Sequence, residues 1–187
     1  VAAMLVALFA VSATMGLMAF LVPFLVADVL GRSPEFTGVV LLFLIGTMAP
    51  VSSLSGWASD RLGTRRVALA GAVVAVVGVL TMLGLPADAG LVDLAWRRAV
   101  LGAGIGLFNP PLNAAILAAS PPAMAGTAGG LAMTMRTLAM TGGPAVAALA
   151  WTAAGGGLAG FRAGVLALSC IAALGVAALA APWRSPR

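Results

Sequence analysis

Histidine, tyrosine and lysine are absent from this chain of 187 residues, and cysteine occurs once. Each absence removes a chemistry. A Ser–His or Cys–His hydrolase needs an imidazole base. A Walker-type phosphate loop needs its lysine. A zinc site without histidine and with one cysteine fails on ligand count. Cys170 lies in an apolar stretch and reads as a small hydrophobic filler. Charge is scarce as well, at 8% of residues against about 25% in soluble domains. What fills the chain is apolar: 62% of residues are hydrophobic and the mean hydropathy is +1.14. The composition belongs to a membrane protein. The net charge of +5 does not indicate nucleic acid, because the arginines are scattered at segment ends and do not mass on one face.

The charged residues punctuate six apolar segments. Residues 1–27, 36–59 and 67–87 carry no charge. Residues 99–135 are also free of charge but too long for one crossing, and Ser120-Pro121-Pro122 with Gly126 divides them. A crossing needs about 20 residues, which predicts spans at about 3–27, 36–58, 67–86, 96–119, 127–153 and 162–183. Turns are expected at Gly31-Arg32-Ser33-Pro34, at 86–90 and at Gly155-Gly156-Gly157. No polar–apolar alternation supports a β-barrel. The expected fold class is therefore an all-α membrane protein, one six-helix domain over residues 1–187. The chain opens at Val1, without Met and inside an apolar run, so no signal peptide is expected and a preceding part is expected to be missing.

Arginine bias orients the segments. Arg61, Arg65 and Arg66 crowd the second connection, and Arg184 and Arg187 fall on the same side of six spans. On the other side Asp28, Glu35, Asp88 and Asp93 balance Arg32, Arg97, Arg98 and Arg162. The positive-inside rule puts the second connection and the C-terminus in the cytoplasm. Trp57, Trp96, Trp151 and Trp183 fall at predicted helix ends, as an interfacial aromatic belt requires.

The second connection reads Gly56-Trp57-Ala58-Ser59-Asp60-Arg61-Leu62-Gly63-Thr64-Arg65-Arg66. Gly63 suits a tight turn at positive φ, Gly56 suits close approach of a neighbouring helix, and Asp60 suits a latch to a helix N-terminus or an arginine. This segment resembles the signature loop of the major facilitator superfamily, G-x-x-x-D-R-x-G-x-R-R, with Ala58 and Thr64 departing from the usual Leu and basic residue. The resemblance implies one six-helix half of a facilitator bundle, with this loop as a cytoplasmic latch. Arg98-x-x-x-Gly102-x-Gly104-x-Gly106 is similar to the fourth-helix motif of the same superfamily. Gly102 and Gly106 there form a face for close packing, and Arg98 is expected to snorkel outward beside Trp96. The run from Pro23 to Gly38, Pro110-Pro111-Leu112-Asn113-Ala114-Ala115, Gly126-Thr127-Ala128-Gly129-Gly130 and Gly142-Gly143-Pro144 together resemble the C-terminal half of the fourteen-helix drug–proton antiporter branch. Leu25 and Ala27 stand where that branch often has Tyr and Gln, so polar pore contacts from the first helix are missing.

Arg136 is the only ionisable residue between Ala99 and Phe161, about 15 Å into the fifth segment. A guanidinium at that depth costs about 2.5–3.5 kcal/mol on insertion scales, which marks it as a functional candidate. Met133, Met140, Gly129 and Gly143 fall on or near its face, and methionine offers an adaptable apolar surface. Asn109 and Asn113 share a face one turn apart, with Pro110 and Pro111 expected to kink the helix between them. These residues are the candidate pathway. The resemblance implies secondary active export of small amphipathic compounds by alternating access, driven by a proton gradient. No catalytic group, metal or cofactor is expected. The coupling carboxylate would lie elsewhere, since no Asp or Glu falls at mid-depth.

The partners expected are the lipid bilayer, a small-molecule substrate, and either a missing N-terminal half of six or eight helices or a second copy. The location expected is the cell membrane, multi-pass, in a GC-rich bacterium. A carrier of another metabolite and a non-transporting half-size scaffold are the alternatives. Ser52-Ser53-Leu54-Ser55-Gly56 superficially resembles the serine motif of rhomboid proteases, but Ser53 replaces the needed Gly and no histidine exists.

Overall fold

The computed structural model describes residues 2–180. Trp183, Arg184, Arg187 and the end of the sixth expected span lie outside the described residues. Six long helices account for nearly all the rest: α1 (Ala2–Phe24), α2 (Pro34–Leu62), α3 (Thr64–Thr81), α4 (Leu91–Ala118), α5 (Ala125–Ala153) and α6 (Gly157–Ala180). A π-helical stretch, Leu25–Val29, prolongs α1 just after Pro23. Short 3-10 turns occur at Met82–Gly84 and Pro122–Met124, and no strand is present among the described residues.

The helix ends have local causes. Pro34 opens α2 after an extended Ser33, a position where its missing N–H costs nothing. Gly63, at φ +89°, is the only residue between α2 and α3, so the expected loop is a one-residue corner. Gly155, Gly156 and Gly157 all take positive φ and reverse the chain between α5 and α6. Asp93 accepts a hydrogen bond from the Gly90 N–H at 3.1 Å and starts α4. The break between α4 and α5 lies over 119–124, and Gly126 is already helical. α4 runs unbroken through Pro110 and Pro111.

α4 packs between α2 and α3, while α1 packs between α5 and α6, and α3 meets α6 across the bundle. Exchanging the first three helices with the last three (α1 for α4, α2 for α5, α3 for α6) maps the α2–α4 and α3–α4 pairs onto α1–α5 and α1–α6, and the α3–α6 pair onto itself. Because the exchange is by an odd number of crossings, the two units run in opposite directions, the inverted-repeat arrangement of many carriers. The crossings depend on missing side chains. A Cβ on Gly106 would lie 2.7 Å from the Met48 carbonyl, and one on Gly143 would lie 2.8 Å from the Leu17 backbone nitrogen. Gly102 sits against Leu44 and Thr47 of α2, and Gly104 against Ala75 of α3. The Thr47 hydroxyl donates to the Ala99 carbonyl across the Gly102 crossing at 3.1 Å. The close packing expected from Gly102, Gly106 and Gly143 is thus present.

Among the described residues, five helices are long and apolar enough to cross a membrane: α1 with its π extension, α2, α3 with its 3-10 turn, α4 and α6. α5 is equally long but carries Arg136 and many threonines and glycines. Several expectations are corrected. No helix among the described residues approaches Gly56, since nothing lies within 4 Å of a Cβ placed there. Trp151 is 8% exposed, packed on Phe24 at 5.9 Å and beneath Gly156 and Gly160, so it belongs to the core and not to an interfacial belt. Arg98 does not snorkel beside Trp96. Arg97 lies beside that ring, its guanidinium 4.6 Å from it, and is itself buried at 8% exposure, while Arg98 turns inward at 2%. Cys170 is exposed.

Candidate functional site

Arg136 lies eleven residues after the first residue of α5, about 16 Å along the helix. Side chains lean toward the N-terminus of their helix, so Arg136 reaches back toward the end where α4 finishes. There its Nη2 donates to Asn113 Oδ1 at 3.4 Å. Both residues are half-buried. Around them Ile116, Leu117, Gly129, Ala132 and Met133 complete a cavity of about 220 Å³. Gly129 matters by its size, because a larger side chain there would approach Leu117 and close the wall. A guanidinium carries five N–H donors in a rigid fork. One long bond to Asn113 is the only one recorded for Arg136 among the described residues, and no carboxylate lines the cavity. The arrangement suits a solute with an acceptor group and an apolar body.

The other candidates are distributed differently. Met133 lines the cavity and is 63% exposed. Met140 does not line it, because its backbone forms the α1–α5 crossing opposite Gly16. Asn109 is half-buried one turn from Asn113 and is not among the lining residues. Pro111 is buried, Pro110 half-buried, and Pro144 continues α5 immediately after the Gly143 crossing.

The signature residues gather at the α2–α3 corner. The Arg61 guanidinium stacks 4.1 Å from the Trp57 ring. Arg65 donates to the carbonyls of Leu179 and Ala180 at 3.4 and 2.9 Å, so it binds the negative end of α6. Asp60 is exposed, and no ion pair or hydrogen bond to its side chain is recorded among the described residues. Its expected latch partner is not found among the described residues.

Arg97 escapes sequence reasoning, and Arg98 takes a course other than the expected one. Arg97 donates to the carbonyls of Thr81 (3.0 Å), Asp93 (2.6 Å) and Gly84 (3.3 Å) and approaches the Asp93 carboxylate at 3.5 Å. The i,i+4 spacing of Asp93 and Arg97 was the available signal. Arg98 has two buried nitrogens, Nε and Nη1, with no partner among the described residues. No sequence feature separates its unpartnered burial from that of Arg97, which is buried with its donors on carbonyls.

The sequence profile of the Major Facilitator Superfamily matches residues 3–187. Among curated proteins, the uncharacterized transporter YebQ of Escherichia coli is 32% identical over 128 residues, covering 68% of this chain and 28% of that protein. The riboflavin transporter RibZ of Clostridioides difficile is 30% identical, covering 67% of this chain and 28% of that protein. The multidrug resistance protein Stp of Mycobacterium tuberculosis is 29% identical, covering 64% and 22%. The chain thus spans less than a third of the curated relatives it matches. Among solved structures, a peptide transporter, POT, in complex with sulfate superposes with a TM-score of 0.79 at 20% identity, covering 96% of this chain and 36% of that one. A D-xylose–proton symporter superposes at 0.67 and 20% identity, covering 98% and 47%. At such identity these two likenesses establish the fold.

Proposed function

Since this chain belongs to the Major Facilitator Superfamily, we propose that it is one half of a membrane transporter, a secondary active exporter of small amphipathic compounds. The observation that carries the reading is the Arg136–Asn113 pair over a cavity walled by Met133 and aliphatic groups. A drug-like cation would be repelled by the guanidinium, so the substrates favoured are neutral or anionic. The second half packs on α2 and α5. Only 11% of the apolar window of α2 is buried, and Gly38, Gly46, Gly126, Gly130 and Gly142 on these helices face open space. The two helices are exchanged by the internal symmetry, so together they offer one two-part surface. Asp60 finds its partner on the same second half, and the carboxylate that couples transport to protons lies there too. The protein resides in a bacterial cell membrane with the α2–α3 corner and the C-terminus in the cytoplasm.

Transport by the full-length protein in energised vesicles tests the reading. Arg136→Ala is expected to abolish export with membrane insertion unchanged, and Arg136→Lys to retain little, because an ammonium lacks the planar fork. Export at the normal rate by Arg136→Ala refutes it. A second reading, carriage of one polar metabolite, is favoured by the guanidinium's remaining donors and by a relative named as a riboflavin transporter. A panel of neutral and anionic compounds separates the two, since a multidrug exporter is inhibited by many and a metabolite carrier by one structural series.

A further inference from the structure

We propose that the cavity beside the α2–α3 corner is a binding site for the headgroup and upper acyl chains of an acidic phospholipid. The single-residue corner at Gly63 brings the end of α2 and the start of α3 next to the first turn of α1 and the last turns of α4. They enclose about 810 Å³, well inside the range of ligand-sized cavities. One wall is apolar, built from Met4, Leu69, Ala114 and Ala118, and the other carries Arg65 and Arg66. Arg65 is fixed by its bonds to the end of α6, while Arg66 is exposed. α3 begins without a side-chain cap, so the positive end of its dipole adds to the two guanidinium charges. The nearby carboxylate, Asp60, is not among the lining residues.

The site lies at the ends of spanning helices, where headgroups are. Its chemistry is that of an anion joined to an apolar body. A free phosphate would leave the Met4–Leu69–Ala114 wall unused, and a zwitterionic headgroup would leave the arginine charge unbalanced. The inference rests on the chain's place in a membrane and not on its substrate.

The test uses full-length protein in detergent, with native mass spectrometry after addition of phosphatidylglycerol or phosphatidylcholine of matched chains. Phosphatidylglycerol is expected to be retained at least about fivefold better, and Arg66→Gln to lower that retention about fivefold, the ordinary effect of one arginine at an acidic membrane surface. Ala118→Trp, which fills the apolar wall, is expected to lower it likewise. Ala114→Leu serves the same purpose if the tryptophan variant does not fold. Equal retention of the two lipids overturns the proposal. So does a preference that survives both kinds of substitution, or one lost with Arg66→Gln but kept in a filled cavity, which would be surface charge alone. Competition by glycerol 3-phosphate as strong as by the lipid would assign the site to a soluble anion and overturn it too.

Discussion

Gly142 and Gly143 are neighbours in α5 with opposite surroundings, and replacing each by alanine isolates one packing term. A Cβ at Gly143 would meet Leu17 N at 2.8 Å, Gly16 C at 3.0 Å and Ala13 O at 3.1 Å, all backbone atoms of α1. Backbone cannot rotate away as a side chain can. To restore ordinary contact near 3.4 Å, α1 and α5 must part by about 0.6 Å. Their contact is one of the main interfaces of the bundle, so the loosening extends along the seam. Overpacking of this kind costs about 1–3 kcal/mol. Alanine returns about 0.5–1 kcal/mol by its better helix propensity. At Gly142 nothing lies within 4 Å, and the propensity gain stands alone. The two variants are therefore expected to differ by about 2 kcal/mol, with Gly143→Ala below wild type and Gly142→Ala at or above it. Thermal melting of the full-length protein in mild detergent reads the gap as several degrees of Tm. A Gly143→Ala protein as stable as wild type would refute the close α1–α5 crossing. A loss at Gly142 as large as at Gly143 would show that the second half fills the space there.

Two further outcomes follow from the neighbouring arginines. Arg98→Met is expected to raise thermal stability by about 1–3 kcal/mol, because it removes a buried charge whose Nε and Nη1 have no acceptor; a lower Tm would show that a partner is supplied by the remainder of the full-length protein. Arg97→Ala is expected to cost about 2 kcal/mol, since it strips donors from the carbonyls of Thr81 and Gly84 at the end of α3. Faster proteolysis within 82–90 would accompany that loss, and an unchanged melt and cleavage rate would contradict it.

Part of the candidate site is legible in the amino-acid order itself. A turn at positive φ is expected at Gly63, whose φ is +89°. Close crossings are expected at Gly102, Gly106 and Gly143, and backbones of neighbouring helices meet there. The signal at these glycines is strong because only a missing side chain permits backbones to touch. Arg136 stands out because a charge in apolar sequence is rare. Its partner does not, as both asparagines share a face of α4 and only the tilt of the side chain from α5 selects Asn113 over Asn109. Trp151 misleads because a helix end is where both an interfacial ring and a core ring can sit. The surroundings at Gly155–Gly157, which fold the chain back over it, decide for the core.

Sequence alone determined the class of this protein, its long apolar helices, their punctuation by arginine, proline and glycine, and the lone guanidinium in α5. Those are consequences of composition along one chain, and hydrocarbon selects for them helix by helix. The tertiary structure decided which helices touch, which of the buried Arg97 and Arg98 finds acceptors, and which faces of α2 and α5 remain bare. In a helix apolar all round, a face toward lipid and a face toward protein carry the same residues. Hydropathy therefore cannot tell them apart, and only the meeting of one helix with another separates them.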